Sequence, residues 1–148
     1  MKNNKTGFTL VEIMLVMAIV SLLATVAIVE GVQLKKQANE ANAQANLKAI
    51  ASGFEIYAAR HGGTYAPGEQ AGLQFLVDAD CLYQDLVGLG QVGNFRYIVG
   101  SAGAAGYDIR AMAINPALAA HNYQIVTGDI LKRSDTSSPG DEDFKIFR

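Results

Sequence analysis

At 148 residues the chain has room for one ordinary domain and little more, since domains commonly run about 100–150 residues. Half of its side chains are hydrophobic and 18% are charged; the net charge of −2 becomes −4 if Lys2 and Lys5 are removed with a leader, leaving 10 basic against 14 acidic groups. Phosphate backbones demand clustered Lys and Arg, and Lys35-Lys36 and Lys132-Arg133 are only pairs, so nucleic acid is not an expected partner. Cys81 is the only cysteine, which excludes an intrachain disulfide and reads as a small buried core residue.

The first element is an apolar helix. Phe8 to Val29 reads FTLVEIMLVMAIVSLLATVAIV, twenty-two residues with Glu12 as the sole charge, about 33 Å as a helix and enough to cross a bilayer. Lys2 and Lys5 on its N-terminal side place residues 1–7 inside and the bulk of the chain across the membrane. The helical pattern continues beyond the apolar run, with Ala43, Leu47, Ile50, Phe54 and Tyr57 on one face and Gln44, Lys48, Ser52 and Glu55 elsewhere. Gly62-Gly63 ends it after Arg60 and His61, so one helix is predicted over about Thr9–Arg60.

A short apolar helix is predicted within LQFLVDADCL (73–82). Strands follow at FRYIV (95–99), YDIRAMAI (107–114) and NYQIV (122–126); a Thr127-Gly128-Asp129 turn leads into ILK, and FKIFR offers a closing edge strand. An antiparallel meander of three or four strands is expected, its apolar face covered by the amphipathic half of the long helix. The fold class is therefore α+β.

GLGQVG (88–93) satisfies G-x-G-x-x-G, yet strand-like residues follow it where a dinucleotide site needs a helix, so it reads as a loop. Asp135, Asp141, Glu142 and Asp143, with Ser134, Ser137 and Ser138, are oxygen ligands of the kind calcium takes; a solvated polar tail is the simpler reading. His61 and His121 have no metal-ligand spacing and read as surface or cap residues, and no nucleophilic signature is present. No metal, cofactor or catalytic activity is expected.

Glu12 demands an explanation, because an ionised residue at membrane depth costs about 2.5–3.5 kcal/mol on insertion scales. A simple anchor has no use for it, although a carboxylate near the interface can snorkel to the headgroups. A cleavable secretory signal fits poorly: Ile13–Val29 exceeds the usual apolar core, and Thr25-Val26-Ala27 is a weak cleavage site. The run Gly7-Phe8-Thr9-Leu10-Val11-Glu12, after a Lys-bearing polar leader and before an apolar helix, resembles the prepilin signature of the type IV pilin-like superfamily. That superfamily includes type IV pilins and type II secretion pseudopilins. The resemblance is close over about residues 1–60.

The resemblance implies cleavage between Gly7 and Phe8 by a membrane prepilin peptidase and N-methylation of Phe8. It also implies polymerisation in which Glu12 meets the Phe8 amine of a neighbouring subunit. The implied divisions are a leader (1–7), a hydrophobic membrane and filament-core helix (8–30), its amphipathic half (31–61) and a C-terminal α+β head with a polar tail (62–148). Further implied partners are the inner membrane before assembly, copies of the same chain, and an assembly platform with its ATPase.

The expected function is a structural subunit of an extracellular pilus serving adhesion or motility. A periplasmic secretion pseudopilus and a non-polymerising membrane-anchored binding module are the alternatives. The pseudopilin's C-terminal calcium pattern is not evident, which favours the pilus. Many relatives carry Gly where Ser21 stands and Pro where Val29 stands; Ser21 and Val29 do not force the helix break associated with that pair, although Gly31 leaves some weakness.

Overall fold

The computed structural model describes residues 7–67, 71–83, 90–136 and 139–146. Lys2 and Lys5 of the expected leader, the first two residues of GLGQVG, Ser137, Ser138 and the final two residues lie outside the described residues. Helix α1 is Leu10–Arg60 and helix α2 is Ala71–Asp78. The strands are β1 Gln91–Val92, β2 Phe95–Gly103, β3 Gly106–Ala113, β4 Asn122–Val126, β5 Ile130–Ser134 and β6 Lys145–Ile146. The chain forms two compact units, residues 1–35 and 36–148.

In the first unit, α1 is apolar on all sides and its large side chains, among them Leu10, Ile13, Val16, Leu22 and Leu34, are exposed. An apolar window on α1 is 0% buried, and by length and composition the helix can cross a membrane. The hydroxyls that interrupt the apolar run are satisfied within the helix: Ser21 Oγ donates to Met17 O at 2.7 Å and Thr25 Oγ1 to Leu22 O at 2.7 Å. A hydroxyl bonded to its own helix needs no water and can be placed in lipid. The helix is unbroken through Ser21 and Gly31.

In the second unit, α1 presents the predicted stripe. Ala43, Leu47, Ile50 and Phe54 are buried, joined by Ala51 and Ala58, while Lys48, Ser52 and Glu55 face solvent; Tyr57 is half-buried. The stripe packs in one core cluster with Phe95, Tyr97 and Val99 of β2, Tyr107, Ile109 and Ala111 of β3, and Tyr123 and Ile125 of β4. Those sheet residues alternate along each strand, and the register opposes Val99 to Ile109 and Ile109 to Ile125, so they share one face. Phe54 stacks on Tyr107 at 5.2 Å between centroids, and Tyr65 meets Tyr107 edge-on at 5.3 Å.

The sheet has six antiparallel strands in sequential order, more than the expected three or four. The surplus comes from two-residue strands at its edges. Gln91–Val92, read from sequence as loop, pairs with the start of β2 across a Gly93-Asn94 turn; β6 pairs with β5. β1 carries too few residues to show periodicity, whereas β6 falls where FKIFR offered a closing edge strand. The opposite sheet face receives the C-terminal segment: Asn122 Nδ2 donates to Thr136 O, and buried Phe144 lies under the Arg110 guanidinium at 6.0 Å.

Gly53 permits the close approach of α1 to the segment after α2, since a Cβ there would stand 3.0 Å from the Cys81 carbonyl oxygen. Cys81 is half-buried at the edge of the core rather than enclosed by it, with Arg60 Nη1 3.6 Å from its sulfur. Gly62 and Gly63 take positive φ (67° and 89°) where α1 ends, as the two glycines predicted.

Candidate functional site

Thr9 starts α1. Residues 7–9 are non-helical, and the first intrahelical bond runs from the Ile13 N–H to the Thr9 carbonyl at 3.3 Å. The Glu12 N–H donates to Thr9 Oγ1 at 3.3 Å, while the Thr9 N–H and the Thr9 hydroxyl both donate to Glu12 Oε2 at 2.9 Å. This is the reciprocal capping box that the spacing T-x-x-E encodes, one residue later than the predicted helix start. It satisfies two of the donors that every helix N-terminus leaves open.

Phe8 and Gly7 consequently lie outside the helix. Phe8 is 83% exposed, and nothing approaches within 4 Å of a Cβ built on Gly7. The peptide between them sits in open, non-helical backbone, the form of chain that a protease must engage. Among the described residues no hydrogen bond joins Phe8 to Glu12 within one chain.

Residues 2–28 match the family model of the prokaryotic N-terminal methylation motif. The chain carries that motif. A methylation motif of this kind is characteristic of type IV pilins and pseudopilins, which are structural rather than catalytic, and the apolar helix that follows it suits anchoring in a membrane. The matched span takes in Gly7, Phe8 and Glu12 together with most of the exposed apolar stretch of α1. No curated protein matches the chain significantly.

A second polar centre lies within the unit of residues 36–148. Glu40, only 14% exposed at its side chain, accepts from the Ala120 N–H at 2.7 Å and the Tyr123 hydroxyl at 3.0 Å, and it faces His121 Nδ1 at 3.1 Å. His121 Nε2 stands 3.4 Å from Asp135, which Arg133 approaches at 3.5 Å. Asn39 Nδ2 adds a bond to the Leu118 carbonyl at 2.9 Å, so two adjacent α1 side chains hold the segment before β4. His121 thus bridges Glu40 and Asp135, part-buried, where a surface or cap residue was expected; His61 is exposed and stacks on Tyr57 at 3.9 Å.

Burial alone would raise the Glu40 carboxyl; the Ala120 N–H, His121 and Tyr123 reverse this and hold it below the usual carboxylate range. Burial pushes the Tyr123 hydroxyl up to about 12, against the bond from Gln44 and with the help of the Glu40 charge. Sequence reading passed over Glu40, although its position held a signal. It stands three residues before Ala43 and seven before Leu47, on the apolar stripe itself, where a carboxylate requires partners. Among the described residues no group of three or more His, Cys, Asp or Glu could hold a metal ion.

Proposed function

We propose that this chain is a structural subunit of a type IV pilus, processed at Gly7-Phe8 and polymerised through its N-terminal helix. The observation that carries the reading is the methylation motif set on a helix whose large apolar side chains between Leu10 and Leu34, among the described residues, are exposed. After extraction from lipid this surface meets either water or copies of the chain, and only the copies remove it from water.

Hydrolysis adds water across the Gly7–Phe8 bond, leaving a carboxylate on Gly7 and an amine on Phe8. That amine, methylated but still protonatable, is cationic at neutral pH. It then pairs with Glu12 of a neighbouring subunit in the filament core. Leaving either charge buried without its mate costs about 3–5 kcal/mol, so the pair selects the register between subunits.

Electron microscopy of sheared surface filaments, with mass spectrometry of their principal protein, tests this reading. Filaments built of a chain beginning at Phe8 with one added methyl group are expected, and Glu12→Ala abolishes them while membrane insertion persists. A secretion defect on deletion without surface filaments would instead select the pseudopilus. A chain still intact at residue 1 in cells containing prepilin peptidase would select the membrane-anchored binding module.

A further inference from the structure

Helix α1 has asparagine at positions 39, 42 and 46, spacings of three and four that set the three amides on one face. Asparagine is a weak helix former, whereas alanine, the best one, stands at the neighbouring exposed positions Ala38, Ala41, Ala45 and Ala49. Together with Asn94 of the turn before β2, the three amides line a cavity of about 230 Å³ floored by Phe95 and Tyr97, each 1% exposed. None of its lining residues is charged. Asn39 Nδ2 donates to the Leu118 carbonyl at 2.9 Å and Asn46 Nδ2 to the Tyr97 hydroxyl at 3.0 Å, while Asn94 exchanges bonds of 3.0 and 3.1 Å with the Asn115 backbone. What these bonds leave over is mixed. It comprises the carbonyl oxygens of Asn39 and Asn46, the hydrogen of the buried Tyr97 hydroxyl, and the whole amide of Asn42, which has no hydrogen-bond partner among the described residues. Burial, opposed by the bond from Asn46, pushes the Tyr97 hydroxyl up from its ordinary value, so it stays a donor at neutral pH.

We infer that this groove is a binding site for an uncharged sugar ring, whose hydroxyls bond to the amides of Asn42 and Asn46 and to the Tyr97 hydroxyl. A carboxylate or phosphate would shed its water there without meeting a cation, and an ammonium without meeting a carboxylate; an ion buried unpaired is costly. A sugar hydroxyl both donates and accepts, which is what the unused groups require. The volume falls below the ~300–1,000 Å³ of sites for drug-sized ligands, so the groove takes one ring and not an extended chain. The site lies wholly within residues 36–148 and does not depend on the proposed polymerisation.

The test titrates the full-length, isotope-labelled chain, in a detergent without a sugar headgroup, with D-galactose, D-mannose and N-acetyl-D-glucosamine, each also as its methyl glycoside. D-galacturonate and D-glucosamine serve as charged counterparts. At least one neutral sugar is expected to shift the side-chain amide resonances of Asn42 and Asn46 saturably, with a millimolar dissociation constant, as the few contacts of a small polar ligand allow. The charged counterparts are expected to bind about tenfold more weakly or worse. Equal binding of the methyl glycoside assigns the site to the end of a glycan chain, and binding of the free sugar alone assigns it to a soluble sugar; either result supports the inference. Asn42→Ala, which keeps the helix because alanine favours it, is expected to weaken binding about tenfold or more by removing the hydrogen bonds of one amide. Lys48→Ala, outside the groove, is expected to leave binding unchanged. No saturable shift from any neutral sugar up to about 0.1 M, galacturonate binding as tightly as galactose, or parent affinity in Asn42→Ala overturns the inference. Loss of filaments in Asn42→Ala without any response to sugar also overturns it, making the groove a contact between copies of the chain.

Discussion

At the scale of single residues, two carboxylates on α1 illustrate how position decides chemistry. Glu12 lies among exposed apolar side chains and takes its local partners from Thr9; Glu40 lies on the buried stripe and takes them from residues about eighty positions away. Because the Glu40 carboxyl is held below its ordinary value in the fold, the unfolded chain binds more protons than the folded one as pH falls toward that value. Stability is then fully present above about pH 4.5 and declines as pH falls through the lowered folded value. Glu40→Gln is expected to flatten this acid limb, seen as a smaller loss of Tm between pH 6 and pH 3 in the full-length chain in detergent. Glu40→Ala leaves the Ala120 N–H and the Tyr123 hydroxyl without their acceptor and is expected to cost about 2–3 kcal/mol in denaturant titration.

Elements stand or fall by their faces. The stripe of α1 was legible because its apolar residues recur at spacings of three and four, and the burial of Leu47, Ile50 and Phe54 follows from that recurrence. Phe54→Ala empties a fully buried site between α1 and Tyr107 and is expected to cost about 3–5 kcal/mol, whereas Lys48→Ala, on the exposed face, stays within about 0.5 kcal/mol. Equilibrium unfolding of the two variants against the parent checks the contrast. The strands β2, β3 and β4 were legible for the corresponding reason, an alternation of inward and outward residues. β1 was not, since two residues have no period and their pairing is imposed by neighbours; β6 falls within FKIFR, where the sequence offered a closing edge strand. α2 was found but placed late; its residues run Ala71–Asp78 where the apolar run suggested 73–82, and Asp80, with φ of 55°, lies in the turn that follows.

For the whole molecule, the division at residues 35 and 36 separates an exposed apolar segment from a unit with its own buried core. A chain comprising residues 36–148 is expected to remain in solution without detergent and unfold in one cooperative transition, because the core cluster uses no residue before Ala43. The full-length chain is expected to sediment with membranes and to resist alkaline extraction, as an exposed apolar helix of this length requires. Sedimentation and thermal unfolding of the two chains check both statements.

Local signals carried much of this protein's account. The methylation motif, the long helix with its stripe, and the three central strands each depend on residues near one another in sequence, where spacing alone dictates geometry. The capping box also belongs to this class: Thr9 and Glu12 are three residues apart, and T-x-x-E is a recognisable signal. Tertiary structure alone decided that Glu40 gathers Ala120, His121 and Tyr123, that Cys81 sits at the edge of the core, and that Gln91–Val92 adds a strand to the sheet. The first two features join residues distant in sequence, and no period within one segment records which distant backbone N–H the folded chain will bring to it; the third rests on two residues, which have no period.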